Sequence, residues 1–243
     1  MRPHQRQLVR SLPLFTNVSD AHFAELLDTA LLQRFPAGVT VIQEGDLPDF
    51  LHVVVDGLVE LFASHNGHET TLDIIDPVST FILAAVLRDE PYLKSARTLA
   101  PTQILMIPAE AVRRIFEKDG AFARAVVDEL ALRYRCLVRT LKNEKLRTSA
   151  ERLANWILQE DVRQSRDHDV ALRIDKRTLA SHLGMTPENL SRNLALLAGH
   201  GVRTIGARMV IDDVAALRRF AKPNPLIDDL VEEDTPHGEA MSA

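Results

Sequence analysis

Two hydrophobic periodicities divide the chain. Between Leu31 and about Pro108, apolar residues come in short runs and alternations broken by turn residues, as half-buried strands require. LHVVVDGLVELFA, starting at Leu51, predicts two strands joined as a hairpin at Asp56-Gly57. HNGHETTLDII predicts a second hairpin at Asn66-Gly67. Both dipeptides suit turns that need positive φ. Phe35, Val39 and Val41 and the run TQILMIP add further short strands, so the region predicts a small β-barrel or roll.

The pattern then turns helical. Residues 109–145 hold no proline and one glycine, Gly120, and Val127, Leu130, Tyr134, Leu137, Leu141 and Glu144 recur at spacings of 3, 4, 3, 4 and 3. That is a heptad seam on a long helix. It makes Val127, Leu130, Tyr134, Leu137 and Leu141 candidate dimerisation residues, although an amphipathic helix packed on its own domain gives a similar stripe. A second helix follows in SAERLANWILQED, with Leu153, Trp156 and Ile157 on its apolar face, and VALRI predicts a short strand over 170–174.

DKRTLASHLGMTPENLSRNLALLAGHG reads as two helices with a tight joint. Asp175 can cap the first, which buries Leu179 and Leu183. Gly184 supplies a left-handed turn residue, Thr186 is an N-cap, and Pro187 takes the first helical position, where its missing N–H costs nothing. Leu190, Leu194 and Leu197 form the inner face of the second helix. Glu188, Ser191 and Arg192 are left near its outward N-terminal half, where a recognition helix reads base edges. An arginine there can donate two hydrogen bonds to guanine, and a glutamate can accept from cytosine. GVRTIGARMVID predicts a β-hairpin turning near Gly206-Ala207, with Arg203 and Arg208 able to reach phosphates. Thr186, Glu188, Asn189, Ser191, Arg192, Arg203 and Arg208 are thus the candidate contacts to double-stranded DNA. A solvated αα-hairpin is the plainer alternative.

The net charge of −5 opposes nucleic-acid binding until it is divided. Residues 146–222 carry 13 Lys/Arg against 9 Asp/Glu, whereas 223–243 carry six acids and no base, and 1–145 hold 16 basic and 19 acidic residues. The positive excess sits where DNA contacts are predicted. Cys136 is the only cysteine, which excludes an internal disulfide and a multi-thiolate iron–sulfur cluster. No run approaches a membrane span of about eighteen apolar residues, and the N-terminus lacks an apolar signal core, so a cytoplasmic location is expected. A metalloenzyme reading would rest on His65, His68 and Glu69, which lack a further ligand at useful spacing. A third reading makes the seam helix a scaffold for protein partners.

Strands, seam helix and winged helix-turn-helix, in that order, resemble the CRP/FNR family of bacterial transcription regulators over roughly residues 12–222. Gly38, Glu44-Gly45-Asp46 and Gly57 match glycines of the family's cyclic-nucleotide-binding fold, and Glu188-x-x-Ser191-Arg192 matches the FNR-type E-x-x-S-R motif. The resemblance implies an α+β fold with four parts: a cyclic-nucleotide-binding-like β-roll with N-terminal helices (1–120), a dimerisation helix (121–146), a winged helix-turn-helix (147–222), and an acidic, poorly ordered tail (223–243). It further implies a homodimer on a palindrome of TTG-type half-sites, with RNA polymerase as a further partner. Pro187 is similar to the subgroup that responds to nitrogen oxides or low oxygen.

The departures concern the signal. The cyclic-AMP cassette expects Gly-Glu and Arg where this chain has Phe81-Ile82 and Lys94, and lysine does not replace the guanidinium fork. Cyclic AMP is therefore disfavoured. Heme remains a candidate cofactor, with His4 or His52 as axial ligand. A small apolar or aromatic acid, or no ligand at all, are the other readings.

Overall fold

A computed structural model of the chain describes residues 3–165 and 167–228. The chain divides into two compact units, Met1–Leu137 and Val138–Ala243. The first unit begins with helices α1 (Pro3–Arg10), α2 (Pro13–Thr16) and α3 (Asp20–Asp28). Strands β1 (Leu31–Phe35), β2 (Thr40–Ile42), β3 (Phe50–Asp56), β4 (Val59–His65), β5 (His68–Ile75) and β6 (Ser79–Phe81) follow. Then come α4 (Leu83–Arg88), β7 (Ser95–Thr98), β8 (Thr102–Pro108), α5 (Ala109–Lys118) and α6 (Gly120–Leu146).

The strands form two antiparallel sheets, ordered β1-β8-β3-β6 and β2-β7-β4-β5. Alternation along β3 decides what each face buries. Leu51, Val53 and Val55 pack with Phe15, Phe23, Val112 and Phe122 against the helices, while Val54 joins Val59, Leu61, Phe81 and Ile104 between the sheets. This is the expected β-roll.

Of the two hairpins predicted in this region, one forms. His65 pairs with His68 across Asn66-Gly67, whose φ values are 51° and 77°. At Asp56-Gly57 there is no hairpin: β3 and β4 lie in different sheets, and the turn carries the chain from one to the other. Thr102 sets this corner, its hydroxyl accepting from Leu58 N–H at 3.1 Å. Gly57 has φ of 98°, and a Cβ there would stand 2.6 Å from Thr102 Cα. The Asp-Gly signal reports positive φ and not strand pairing.

Asp119 opens α6, accepting from the N–H groups of Ala121 and Phe122 at 3.0 Å each and contacting His22 Nδ1 at 2.8 Å. The His22 contact and these backbone donors hold its carboxyl well below the usual carboxylate range. Phe122 and Val126 are buried, whereas Val127, Tyr134, Leu137 and Leu141 are 53–68% exposed. Leu130 is half-buried against the first unit's core.

The second unit contains α7 (Ser149–Arg163), β9 (Asp169–Ala171), α8 (Lys176–His182), α9 (Pro187–Ala198), β10 (Val202–Ile205), β11 (Arg208–Ile211) and α10 (Val214–Ala221). Its core gathers Leu153, Ile157, Leu179, Leu190, Leu197, Met209 and Leu217. The strand predicted over 170–174 is shorter and starts one residue earlier, because only Asp169–Ala171 find a partner in β11. Residues 223–228, predicted as the start of the tail, include the buried Asp228; residues 229–243 lie outside the described residues. Among the described residues no helix is long and apolar enough to cross a membrane.

Candidate nucleic-acid interface

The helix pair is built by local caps. Asp175 accepts from Thr178 N–H at 2.7 Å and starts α8; Thr186 accepts from Asn189 N–H at 3.2 Å and starts α9, with Pro187 at its first position. Between them Gly184 adopts φ of 61°, and Met185 N–H donates to Ala180 O at 2.9 Å. A left-handed residue is what lets the chain reverse there without strain. Leu179, Leu190 and Leu197 are buried in the common core and Leu194 is half-buried.

With the leucines inside, Glu188, Ser191 and Arg192 face solvent, and Thr186 stands exposed beside them. Asn189 is half-buried and accepts from Arg192 Nη2 at 2.8 Å. Ser191 Oγ donates back to Pro187 O at 3.1 Å, leaving its oxygen free to accept. The Glu188 carboxyl is held below the usual range by its own backbone N–H, by the Thr186 hydroxyl and, more weakly, by Arg192. It therefore presents an acceptor at neutral pH. Lys176 and Arg177, exposed at the opening of α8, carry no motif and stand out only once that helix is placed beside α9.

The β10–β11 hairpin turns at Gly206-Ala207 as expected, with Ile205 opposite Arg208. Its two arginines are engaged: Arg203 forms a two-pronged ion pair with Asp212, and Arg208 another with Asp169. All four side chains are at least 32% exposed, so the pairs are screened and exchangeable. Sequence spacing gives no sign of the Arg208–Asp169 pair, which joins residues 39 positions apart, whereas Arg203 and Asp212 are nine apart at the ends of one hairpin.

In the first unit, the residues from Phe81 to Leu87 include neither glycine nor carboxylate. Phe81 ends β6, Ile82 links it to α4 in a left-handed conformation at φ of 67°, and Leu83 opens the helix. Burial pushes the Lys94 ammonium below its ordinary range, opposed by Asp73 and reinforced by Arg133. The residues offered as heme ligands do not fit that group: His4 lies on the exposed face of α1, and His52 is buried with its ring 5.3 Å from that of Phe81 and 6.4 Å from that of Phe50. His65 and His68 sit exposed at the β4–β5 tip while Glu69 pairs with Arg97.

A β-roll followed by a winged helix-turn-helix is the architecture of a DNA-binding regulator. A model of the cyclic nucleotide-binding domain matches residues 32–119, and a model of the Crp-like helix-turn-helix domain matches residues 151–220. The chain is 25% identical over 215 residues to a CRP-like cAMP-activated global transcriptional regulator of Mycobacterium tuberculosis, covering 86% of this chain and 96% of that one. It is 27% identical to the cyclic AMP receptor protein of Thermus thermophilus over 88% of this chain and 98% of that one. The fold is shared with FixK2 from Bradyrhizobium japonicum at a TM-score of 0.70 and 19% identity, covering 84% and 99% of the two chains. The chain belongs to the CRP/FNR family of transcription regulators.

Proposed function

We propose that this protein acts as a homodimer that reads a palindrome of TTG-type half-sites through α9, with the β-roll as its gate. The observation that carries this reading is the outward face of α9, where Glu188, Ser191 and Arg192 stand exposed and Arg192 is braced by Asn189. Thr186 and Asn189 support that face, and Arg203 and Arg208 reach phosphates by exchanging their carboxylate partners for DNA. The exposed seam of Val127, Tyr134, Leu137 and Leu141, with Leu130 at its base, supplies the second copy's docking stripe. Dimerisation sets two recognition helices about 34 Å apart, one turn of duplex. RNA polymerase is the further partner such a regulator would meet on promoter DNA.

The two curated relatives are cyclic-AMP regulators by name. In this chain no carboxylate or glycine opens α4 and lysine stands at position 94, which supports an effector other than cyclic AMP. Pro187 before the E-x-x-S-R motif supports control of low-oxygen or nitrogen-oxide metabolism. Fluorescence anisotropy with an inverted-repeat TTG duplex tests the reading, with scrambled half-sites and added cyclic AMP as the other arms. Selective, salt-sensitive binding unmoved by cyclic AMP is expected; equal affinity for the scrambled duplex overturns the operator, and tightening by cyclic AMP overturns the effector.

A further inference from the structure

The turn between α8 and α9 is tied to residues 222–228 through two arginines. Arg152, on the first turn of α7, donates to Leu183 O at 2.9 Å and to Gly184 O at 3.1 Å, the two carbonyls at the joint of the helix pair. Its remaining nitrogen donates to Arg147 O at 2.9 Å, just past the end of α6. Arg147 in turn places both terminal guanidinium nitrogens on the Asp228 carboxylate, at 2.7 and 2.6 Å, with the two side chains only 7% and 2% exposed.

Asp228 is saturated with donors. Besides Arg147 it accepts from Asn224 N–H at 2.7 Å and from Gln159 Nε2 at 3.2 Å. The segment that delivers it is a closed turn in which Asp228 N–H donates to Asn224 O at 2.7 Å and Leu226 N–H to Asn224 Oδ1 at 2.8 Å. Lys142, near the end of α6, donates to Leu226 O at 3.1 Å, and Arg147 also reaches Asn143 at 3.1 Å. The turn from Asn224 to Asp228 lies beyond the residues matched by the helix-turn-helix domain, which end at 220. A buried two-pronged ion pair holds its partners in one geometry, and removing one charge leaves the other buried and uncompensated.

The geometry points to residues 222–228 as a strap that positions the recognition helix. Asp228 fixes Arg147, Arg147 presents its carbonyl to Arg152, and Arg152 holds the turn that aims α9. Asp228 and Arg152 are positioning residues and touch no DNA. Because Arg147 also sits where α6 hands over to α7, the strap fixes that corner as well.

The test uses full-length Asp228→Asn, which keeps the side chain's shape and removes its charge. Hydrogen exchange is followed at Gly184 and Met185, whose amides are bonded to Ser181 O and Ala180 O, and in β10–β11 as an internal reference. Faster exchange at Gly184 and Met185, with β10–β11 unchanged, is expected, together with about tenfold weaker binding to the TTG duplex. Exchange at the turn matching the parent overturns the inference, and so does a uniform rise that includes β10–β11, which is general destabilisation. The affinity arm rests on the DNA-binding reading. If the parent itself binds no duplex, that reading fails, and the exchange arm still decides the strap.

Discussion

Arg192 Nη2 donates to Asn189 Oδ1 at 2.8 Å across one turn of α9, so the guanidinium is held over the helix before any DNA arrives. A held side chain gives up less rotamer freedom on binding than a free one. Arg192→Ala is expected to weaken half-site binding by about 1–3 kcal/mol and to relax selection at one guanine. Asn189→Ala takes away the brace while leaving the guanidinium, and should cost less, with base preference retained. Anisotropy titrations against single-base variants of the operator separate the two, and equal losses in both would refute the bracing.

The wing arginines carry a prediction of opposite sign. Asp169 engages both prongs of Arg208, and those contacts must loosen before Arg208 can serve a phosphate. Asp169→Asn removes the competitor, so affinity should rise and the salt dependence should steepen by about one unit of log–log slope. Asp212→Asn is expected to do the same for Arg203. Titrations at several salt concentrations read the slope, and an unchanged slope would place the wing away from the phosphates.

His52 makes the β-roll sensitive to acid. Burial is the larger cause holding it down to about 4 from an ordinary 6.5, partly offset by the Phe50 carbonyl, and its Nδ1 has no hydrogen-bond partner. Between those values the unfolded chain takes up the proton and the native roll does not. Stability therefore falls as pH drops from 6.5 towards 4, by up to about 3 kcal/mol, and levels off below. His52→Leu should flatten that dependence and stabilise the roll at pH 5. Chemical denaturation followed across this window is the check, and parallel curves for parent and variant would contradict it.

The helix-turn-helix was legible because its signals are local. Asp175, Thr186 and Pro187 cap and start helices within a few residues of themselves, and Gly184 marks its own left-handed turn. The long helix α6 was legible for the same reason, since its periodicity is read within one helix. What escaped the sequence joins residues far apart. Asp228 resembles any acid of a polar tail until Arg147 is placed beside it, 81 positions away. The Asp169 partner of Arg208, 39 positions away, and the sheet change at Gly57 were hidden in the same way. Turn chemistry fixes φ at one residue, while pairing depends on where another strand arrives.

The split of β3 from β4 also bears on the order in which the molecule is made. β1 finds its hydrogen-bonding partner in β8, with Leu31 opposite Met106, and β3 pairs with the same distant strand. During synthesis, β1 therefore waits through about seventy residues, and β3 through about fifty, before β8 emerges and their sheet can close. The α8–α9 pair has no such delay, since its contacts lie within a short stretch of chain. The roll should thus be the slow, chaperone-dependent half of folding, and substitutions along β8 should reduce the yield of soluble protein more than equally buried ones in the helix pair.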